Sequence, residues 1–491
     1  MQHNKSAIII GAGIAGIATA IRLKIKGRDV VVFEANDYPG GKMSQFQQGE
    51  FRFDAGPSLF TMPEYVDELF QLAGKNPKDY FTYQRKEESC RYFWDDGTRL
   101  TAHAQPELFA AEVEQKLDVP AKLVLQKLRK SRRMYDLAGK IFLEHPLNKL
   151  KTWLRRDVLK ALFFLPQLGI FSTMHRQNKK VLKNEKLTQL FDRYATYNGS
   201  DPYRAPAILN IIPHFEHGIG TYHPTNGMYQ ITGSLFSLAT ELGVEFRFSE
   251  PVQKINHRDG KVTGVSTQAG EYNADIVVSN MDIRQTYRYL LPGITAPERS
   301  LNQEGSSSAL IFYWGMRRQF SELGLHNIFF SNDYKKEFKE IFEGKTPAGD
   351  PTVYVNITSK DVAGDAPEGC ENWFVMVNVP RDRGQDWEAL IPAYRNSIFK
   401  KINATLGIHI DQSIENESVL TPKLIELRTS STGGSLYGSS SNSRYAAFLR
   451  HTNDSSRLKG LYFCGGSVHP GGGIPLCLLS AKIVSELCPQ A

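Results

Sequence analysis

Three glycines and one acid within the first 34 residues have the types and spacing to hold a nucleotide. Gly11, Ala12, Gly13, Ile14, Ala15 and Gly16 lie between an apolar run, Ala7 to Ile10, and a stretch from Ile14 to Lys26 with helical apolar spacing. Each glycine has a mechanical use: Gly11 for the tight turn, Gly13 for close approach of the backbone to a pyrophosphate, Gly16 for packing of the helix on the strand. The helix N-terminus then faces the phosphate charge. Glu34, followed by Ala35, ends the next apolar run, Asp29 to Glu34. An acid there accepts from a ribose hydroxyl and selects a free ribose over a 2′-phosphate, so FAD or NAD is predicted rather than NADP.

The elements that must position these residues form a βαβ start, which predicts a parallel, doubly wound α/β sheet. Strand patterns return at Gly243 to Ser249, Lys261 to Thr267 and Asp275 to Ser279, separated by Asp259-Gly260 and Ala269-Gly270 turns. Further strands are read at Ala309 to Trp314, Thr352 to Ile357, Trp373 to Val379 and Leu461 to Cys464, with a helix from Ile474 to Leu487. Ser430 to Ser443 is rich in Ser and Gly and reads as a surface turn system. No internal repeat occurs.

Composition removes other answers. The 491 residues are 41% hydrophobic, 23% charged and 11% aromatic, which fits neither disorder nor a membrane-embedded bundle. Five sparse cysteines without a C-x-x-C pair encode no disulfide framework, and a reducing cytoplasm is the expected home. Cys464, His469 and Cys477 match no zinc spacing, so no metal is expected. The net charge is +7, but Pro120 to Lys186 holds seventeen Lys and Arg against four acids, a local balance of +13. The longest apolar run, Ala161 to Phe171, falls short of the ~20 residues that cross a bilayer. Together these predict a peripheral contact: apolar residues from Trp153 to Lys180 ringed by Arg155, Arg156, Lys160, Arg176, Lys179 and Lys180. An amphipathic helix packed on its neighbour is the alternative. Nucleic acid is not expected, since no zinc finger, helix-turn-helix or RNP-like motif accompanies the charge.

Several segments resemble one known family. Pro39, Gly40, Gly41 and Lys42, then Phe53, Asp54, Gly56, Pro57 and Ser58, look like the second flavin segment of the amine oxidase and phytoene desaturase superfamily. The stretch from Leu461 through Gly465, Gly466, His469, Gly473, Ile474, Pro475 and Leu476 to Lys482 resembles the closing motif of CrtI-type carotenoid desaturases. Tyr197 to Pro206, Tyr222 to Met228 and Ala274 to Asn280 match the central signatures. Within the family, Ser308 to Gly315, Leu325 to Ile328 and the loop around Tyr437 and Gly438 look most like the bacterial hydroxycarotenoid 3,4-desaturase branch. The chain departs from the pattern at Lys42 (usually Arg), Ala15, Asn226 and Leu476 (often Gly); Leu476 bears on the substrate, the others are compatible with flavin.

The resemblance implies a Rossmann-like FAD-binding domain from 1–83, 222–290 and 420–491. It adds an inserted α+β substrate domain from 84–119 and 291–419, and a helical basic lobe, 120–221, for membrane contact. It implies non-covalent FAD held by Gly11, Ala12, Gly13, Ala15, Gly16, Glu34, Ala35, Gly40, Gly41, Lys42, Gly56, Pro57, Ser58, Leu59, Val252, Asn280, Gly465, Gly466, Gly473, Ile474, Pro475 and Leu476. The implied reaction is desaturation beside a polyene, most simply at the 3,4 position of a hydroxylated acyclic carotenoid. Hydride leaves an allylic carbon for the flavin, the polyene delocalises the cation, and a neighbouring proton is lost. A strong base is then less necessary, so no catalytic residue is assigned. With no second nucleotide fingerprint, oxygen or a membrane quinone is the expected electron acceptor. The expected location is the cytoplasm, at the inner face of the cell membrane. The alternatives are a lycopene-forming phytoene desaturase, a carotenoid isomerase, and a non-catalytic prenyl-lipid carrier, against which the intact glycines and Glu34 argue.

Overall fold

The computed structural model describes residues 5–139, 169, 171–344, 349–443, 446 and 450–490. The predicted βαβ start is present: β1 (Ser6–Ile10), α1 (Ile14–Ile25) and β2 (Asp29–Phe33). β1 is the centre of a five-stranded sheet ordered Leu461–Phe463, Ile276–Ser279, β1, β2, Glu245–Arg247, with every pairing parallel. On one face α1, Tyr229–Glu241 and Ile474–Leu487 bury Ile17, Ile21, Leu235 and Leu478. On the other, a three-stranded antiparallel sheet brings Ile255, Val262 and Val265 against Ile8, Ile10 and Val277. Burial on both faces explains why Ile8, Ile9 and Ile10 run unbroken instead of alternating with polar residues.

A seven-stranded mixed sheet forms the second body, ordered Ile414–Leu420, Ser308–Met316, Glu371–Val379, Val353–Asn356, His326–Phe329, Glu88–Phe93, Arg99–His103. Ser308–Met316 and Glu371–Val379 run longer than the predicted Ala309 to Trp314 and Trp373 to Val379, because Ser308 pairs with Val379 and Met316 with Glu371, whereas Val353–Asn356 is one residue shorter at each end than the predicted Thr352 to Ile357. Period-2 alternation sorts the two faces. Leu310, Phe312, Trp314, Val375 and Val377 pack under the helix Trp387–Leu406. Ile311, Tyr313, Phe374 and Met376 point the other way, toward Phe51, Phe53 and Ala55 of the predicted flavin segment.

Helices Ala121–Met134, Met174–Leu182 and Glu185–Asp192 close that same side, with Val124, Leu187 and Phe191 buried against Tyr92 and Ile328. Most of the segment read as a membrane contact, Trp153 to Leu168 and Ile170, lies outside the described residues. Among the described residues Phe171 is 77% exposed, and no helix is long and apolar enough to cross a membrane.

The Ser430 to Ser443 stretch corrects the sequence reading. Ser431, Gly433, Gly434, Ser435, Ser440 and Ser441 are buried, so this is an interior loop. A polar-looking loop goes inside only if its backbone groups find partners. Here Lys42, Ser308 and Arg450 supply them, and small side chains let the backbone pack closely.

Candidate functional site

The glycine-rich turn folds as its spacing requires. Gly11 sits at φ +98°, and its N–H donates to the carbonyl of Phe33, pinning the turn to the end of β2. A Cβ on Gly16 would lie 2.1 Å from the Gly11 carbonyl oxygen, so α1 leaves the strand at backbone contact. Gly13 caps α1 with no side-chain hydrogen bond, and no acid stands in the first turn. The positive end of the helix therefore suits an anion, although not every N–H there is free. Gly40 donates to the Ala12 carbonyl and bridges Gly13, laying the Pro39 to Lys42 segment along the turn. Gly56 joins it so closely that a Cβ would stand 1.7 Å from the Lys42 carbonyl oxygen.

A second glycine-rich segment arrives from the far end of the chain. Gly465 is buried, Gly466 half-buried, and Gly473, at φ +107° with open space around it, caps Ile474–Leu487 without a side-chain bond. Ile474 is buried; Pro475 and Leu476 are half-buried in the first turn of that helix. Asn280 ties the two segments together. Its Oδ1 accepts from the Gly16 N–H at 3.2 Å, and its Nδ2 donates to the Cys464 carbonyl at 3.2 Å. The N-terminal turns of α1 and Ile474–Leu487, neither bonded by the side chain of its own cap residue, are thereby held together, with the Gly16 N–H of α1 taken by Asn280.

Of the remaining predicted residues, Glu34 is buried, with Oε2 accepting from the Ala12 N–H at 2.6 Å and Oε1 from the Asn36 N–H at 3.0 Å. Ala15 is buried in α1 and Gly41 lies 3.6 Å, measured from an added Cβ, from the Gly13 Cα. Ala35 and Pro57 are exposed, while Ser58 and Leu59 are half-buried, and Val252 packs beneath the opposite face of the sheet. Lys42 is further in than its type suggests: Nζ donates to the carbonyls of Ser435 and Leu436, and burial pushes its pKa down to about 8.

Sequence reasoning missed Arg450. Its buried guanidinium donates to the carbonyls of Tyr437, Gly466 and Ser439, and burial lowers its pKa to about 10. An isolated Arg outside any motif carries no sequence signal. Burial raises the thiols of Cys464 and Cys477 to about 12 and about 11, so neither is a thiolate at neutral pH. Among the described residues no three His, Cys, Asp or Glu gather to hold a metal.

On the face turned toward Phe51, Phe53 and Ala55, the seven-stranded sheet contributes a mainly aromatic surface. Tyr313 donates to the Ala55 carbonyl at 2.7 Å, and its ring meets Phe53 and Phe374 edge to face. Tyr354 bonds both Ser58, at 2.7 Å, and His326 Nδ1, at 2.8 Å. Where the helical segments meet the sheet, Arg193 contacts Tyr92 and pairs with buried Glu216 at 3.2 Å, with Tyr197 donating to the same carboxylate. Burial opposes charge on Glu216, yet Arg193 and His217 hold its pKa below the ordinary carboxylate value.

The cradle fits FAD on physical grounds. Backbone N–H groups and two helix ends whose cap residues are glycines suit a pyrophosphate, a buried acid at the end of β2 suits a ribose, and side chains larger than hydrogen would fill the approach at Gly13. A parallel sheet carrying such a cradle and capped by a second sheet defines a flavin-dependent oxidoreductase. The comparisons agree: residues 14–488 match the model of the flavin-containing amine oxidoreductases, and the chain belongs to that family, with FAD as its cofactor. It is 53% identical over 486 residues to a 1-hydroxycarotenoid 3,4-desaturase of Flavobacterium sp., covering 99% of both chains. It is 33% identical to a zeta-carotene-forming phytoene desaturase of Myxococcus xanthus, covering 99% of this chain and 94% of that one. An oxidoreductase from Methanosarcina mazei shares the fold at a TM-score of 0.64 and 14% identity, over 98% of this chain and 100% of that one.

Proposed function

We propose that the protein is an FAD-dependent carotenoid desaturase acting on CH–CH bonds, which introduces the 3,4 double bond of an acyclic carotenoid hydroxylated at C1. The observation that carries this is 53% identity to a 1-hydroxycarotenoid 3,4-desaturase over 99% of both chains, against 33% for the phytoene desaturase above. Bound FAD supplies the two-electron acceptor. The polypeptide supplies binding, orientation and dryness. Gly11, Gly13, Gly16, Gly40, Gly41, Gly465 and Gly473 would present backbone to the cofactor, with Glu34 at its ribose and Asn280 locking the two segments.

The aromatic face of buried Tyr313 and Phe374 and half-buried Tyr354, continuous with Ile311 and Met376, suits a flat conjugated chain and limits its contact with water. Within it the sheet presents no carboxylate, in keeping with a reaction whose cation the substrate itself stabilises. The substrate is to be collected from a bilayer, for which exposed Phe171, followed in sequence by exposed Arg176, Lys179 and Lys180, offers an apolar residue and cations in one stretch of chain. Oxygen or a membrane quinone would reoxidise the flavin. The test is to incubate the holoenzyme with a 1-hydroxylated acyclic carotenoid in liposomes and weigh the product. A loss of two hydrogens with no oxygen gained supports the reading. An unchanged mass with altered geometry would make the protein an isomerase, and binding without any conversion would make it a carrier.

A further inference from the structure

We propose that His326 recognises the hydroxyl group of the substrate, its Nε2–H donating to the hydroxyl oxygen beside the bond to be desaturated. The inference rests on the proposed reading of a C1-hydroxylated substrate and deepens it.

The tautomer follows from the neighbours. Asn356 Nδ2 donates to the Leu325 carbonyl at 2.9 Å, which fixes that end of the amide as NH2. The same Nδ2 lies 3.2 Å from His326 Nδ1. An NH2 group can only donate, so Nδ1 accepts, and the Tyr354 hydroxyl at 2.8 Å can donate to it as well. Burial drives the His326 pKa down to about 3, so the ring stays neutral with its single proton on Nε2. That Nε2 is buried and has no hydrogen-bond partner among the described residues. A neutral, buried donor whose tautomer is locked and whose proton goes unused is costly to leave without a partner.

Its position suits a substrate hydroxyl. His326 lies on the same face of the sheet as Tyr354, Phe374 and Met376, through the registers of His326 with Asn356 and of Tyr354 with Met376. Through Tyr354 it is two hydrogen bonds removed from Ser58 in the predicted flavin segment. In a C1-hydroxylated carotenoid the hydroxyl is carried two carbons from C3. A group that fixes that hydroxyl must therefore lie beside the cofactor segment, on the face that holds the polyene. His326 meets both conditions. A purely apolar chain would leave Nε2–H unpaired, and the site would discriminate against it by that loss.

The test uses FAD-loaded protein and two ligands, a 1-hydroxylated acyclic carotenoid and the same polyene without the hydroxyl, delivered in detergent micelles. Affinity is read from quenching of tryptophan fluorescence, and product mass is taken from the same samples. The parent should bind the hydroxylated ligand about tenfold more tightly, the value of one buried hydrogen bond. His326→Phe should abolish the preference while leaving affinity for the plain polyene within about twofold. His326→Gln, whose amide presents an N–H near the Nε2 position, should recover most of it, and His326→Asn, which is too short, should not. Should His326→Phe fail to hold flavin, the Gln and Asn pair decides. Equal binding of both ligands by the parent, an equal loss for both in the variants, or a preference that survives His326→Phe and His326→Asn would overturn the proposal. A preference without any product two hydrogens lighter would sink the desaturase reading and leave this one standing.

Discussion

The two large sheets of this protein flank the predicted flavin segment and contribute to the candidate site by different means. The five-stranded parallel sheet offers backbone: glycines at 11, 13, 16, 40, 465 and 473, two helix ends, and one acid. The seven-stranded sheet offers side chains: Tyr313, Tyr354, Phe374 and His326, contributed by four different strands. A cofactor shared by many enzymes can be held by main chain, which is the same whatever the residue. A particular substrate must be chosen by side chains, and these can change while the cradle persists. The difference predicts that substitutions on the parallel sheet cost flavin and those on the mixed sheet cost selectivity.

The largest effect is expected from Gly13→Val. A Cβ there would stand 2.6 Å from Asn280 Oδ1 and two further methyls would enter the cradle, so FAD affinity should fall about 100-fold or more. Equilibrium dialysis or absorbance titration reads it, and a normally yellow variant would break the comparison on its cofactor side. Next comes Arg450→Met, which removes the buried donor of the Tyr437, Ser439 and Gly466 carbonyls. Unfolding in urea should show a loss of about 3 kcal/mol, with faster flavin release because the loop and the closing motif separate. An unchanged midpoint would mean that water replaces the guanidinium. The smallest is Tyr313→Phe, which removes one bond from the seven-stranded sheet to the predicted flavin segment, at the Ala55 carbonyl, 2.7 Å. It should cost about 1 kcal/mol with flavin content unchanged, and loss of flavin there would show that the two sides are not separable.

The same difference explains what was legible in the sequence. Gly11 to Gly16 and Glu34 announce themselves because a nucleotide cradle is local: strand, turn, helix and acid fall within 34 residues. Helix Ile474–Leu487 begins and ends where the apolar spacing predicts. The interior loop at 430–443 was misread because its Ser and Gly content is that of a surface turn. What buries it, Lys42 and Arg450, lies elsewhere in the chain and reaches it only in the fold. The bonds from Tyr354 to Ser58 and His326 join positions 58, 326 and 354, so no window of sequence contains them. His326 entered the sequence reading only as part of a resembling segment, with no role attached.

The central claim is that the cradle holds FAD as the acceptor of two hydrogens taken from a polyene on the facing sheet. The most direct measurement is an anaerobic single turnover: purified holoenzyme mixed with one equivalent of 1-hydroxylated acyclic carotenoid, with flavin absorbance and product mass followed together. The account predicts bleaching of the oxidised flavin band in step with one product per flavin, two hydrogens lighter than the substrate. Product of unchanged mass, or a lighter product formed while the flavin stays oxidised, would contradict it.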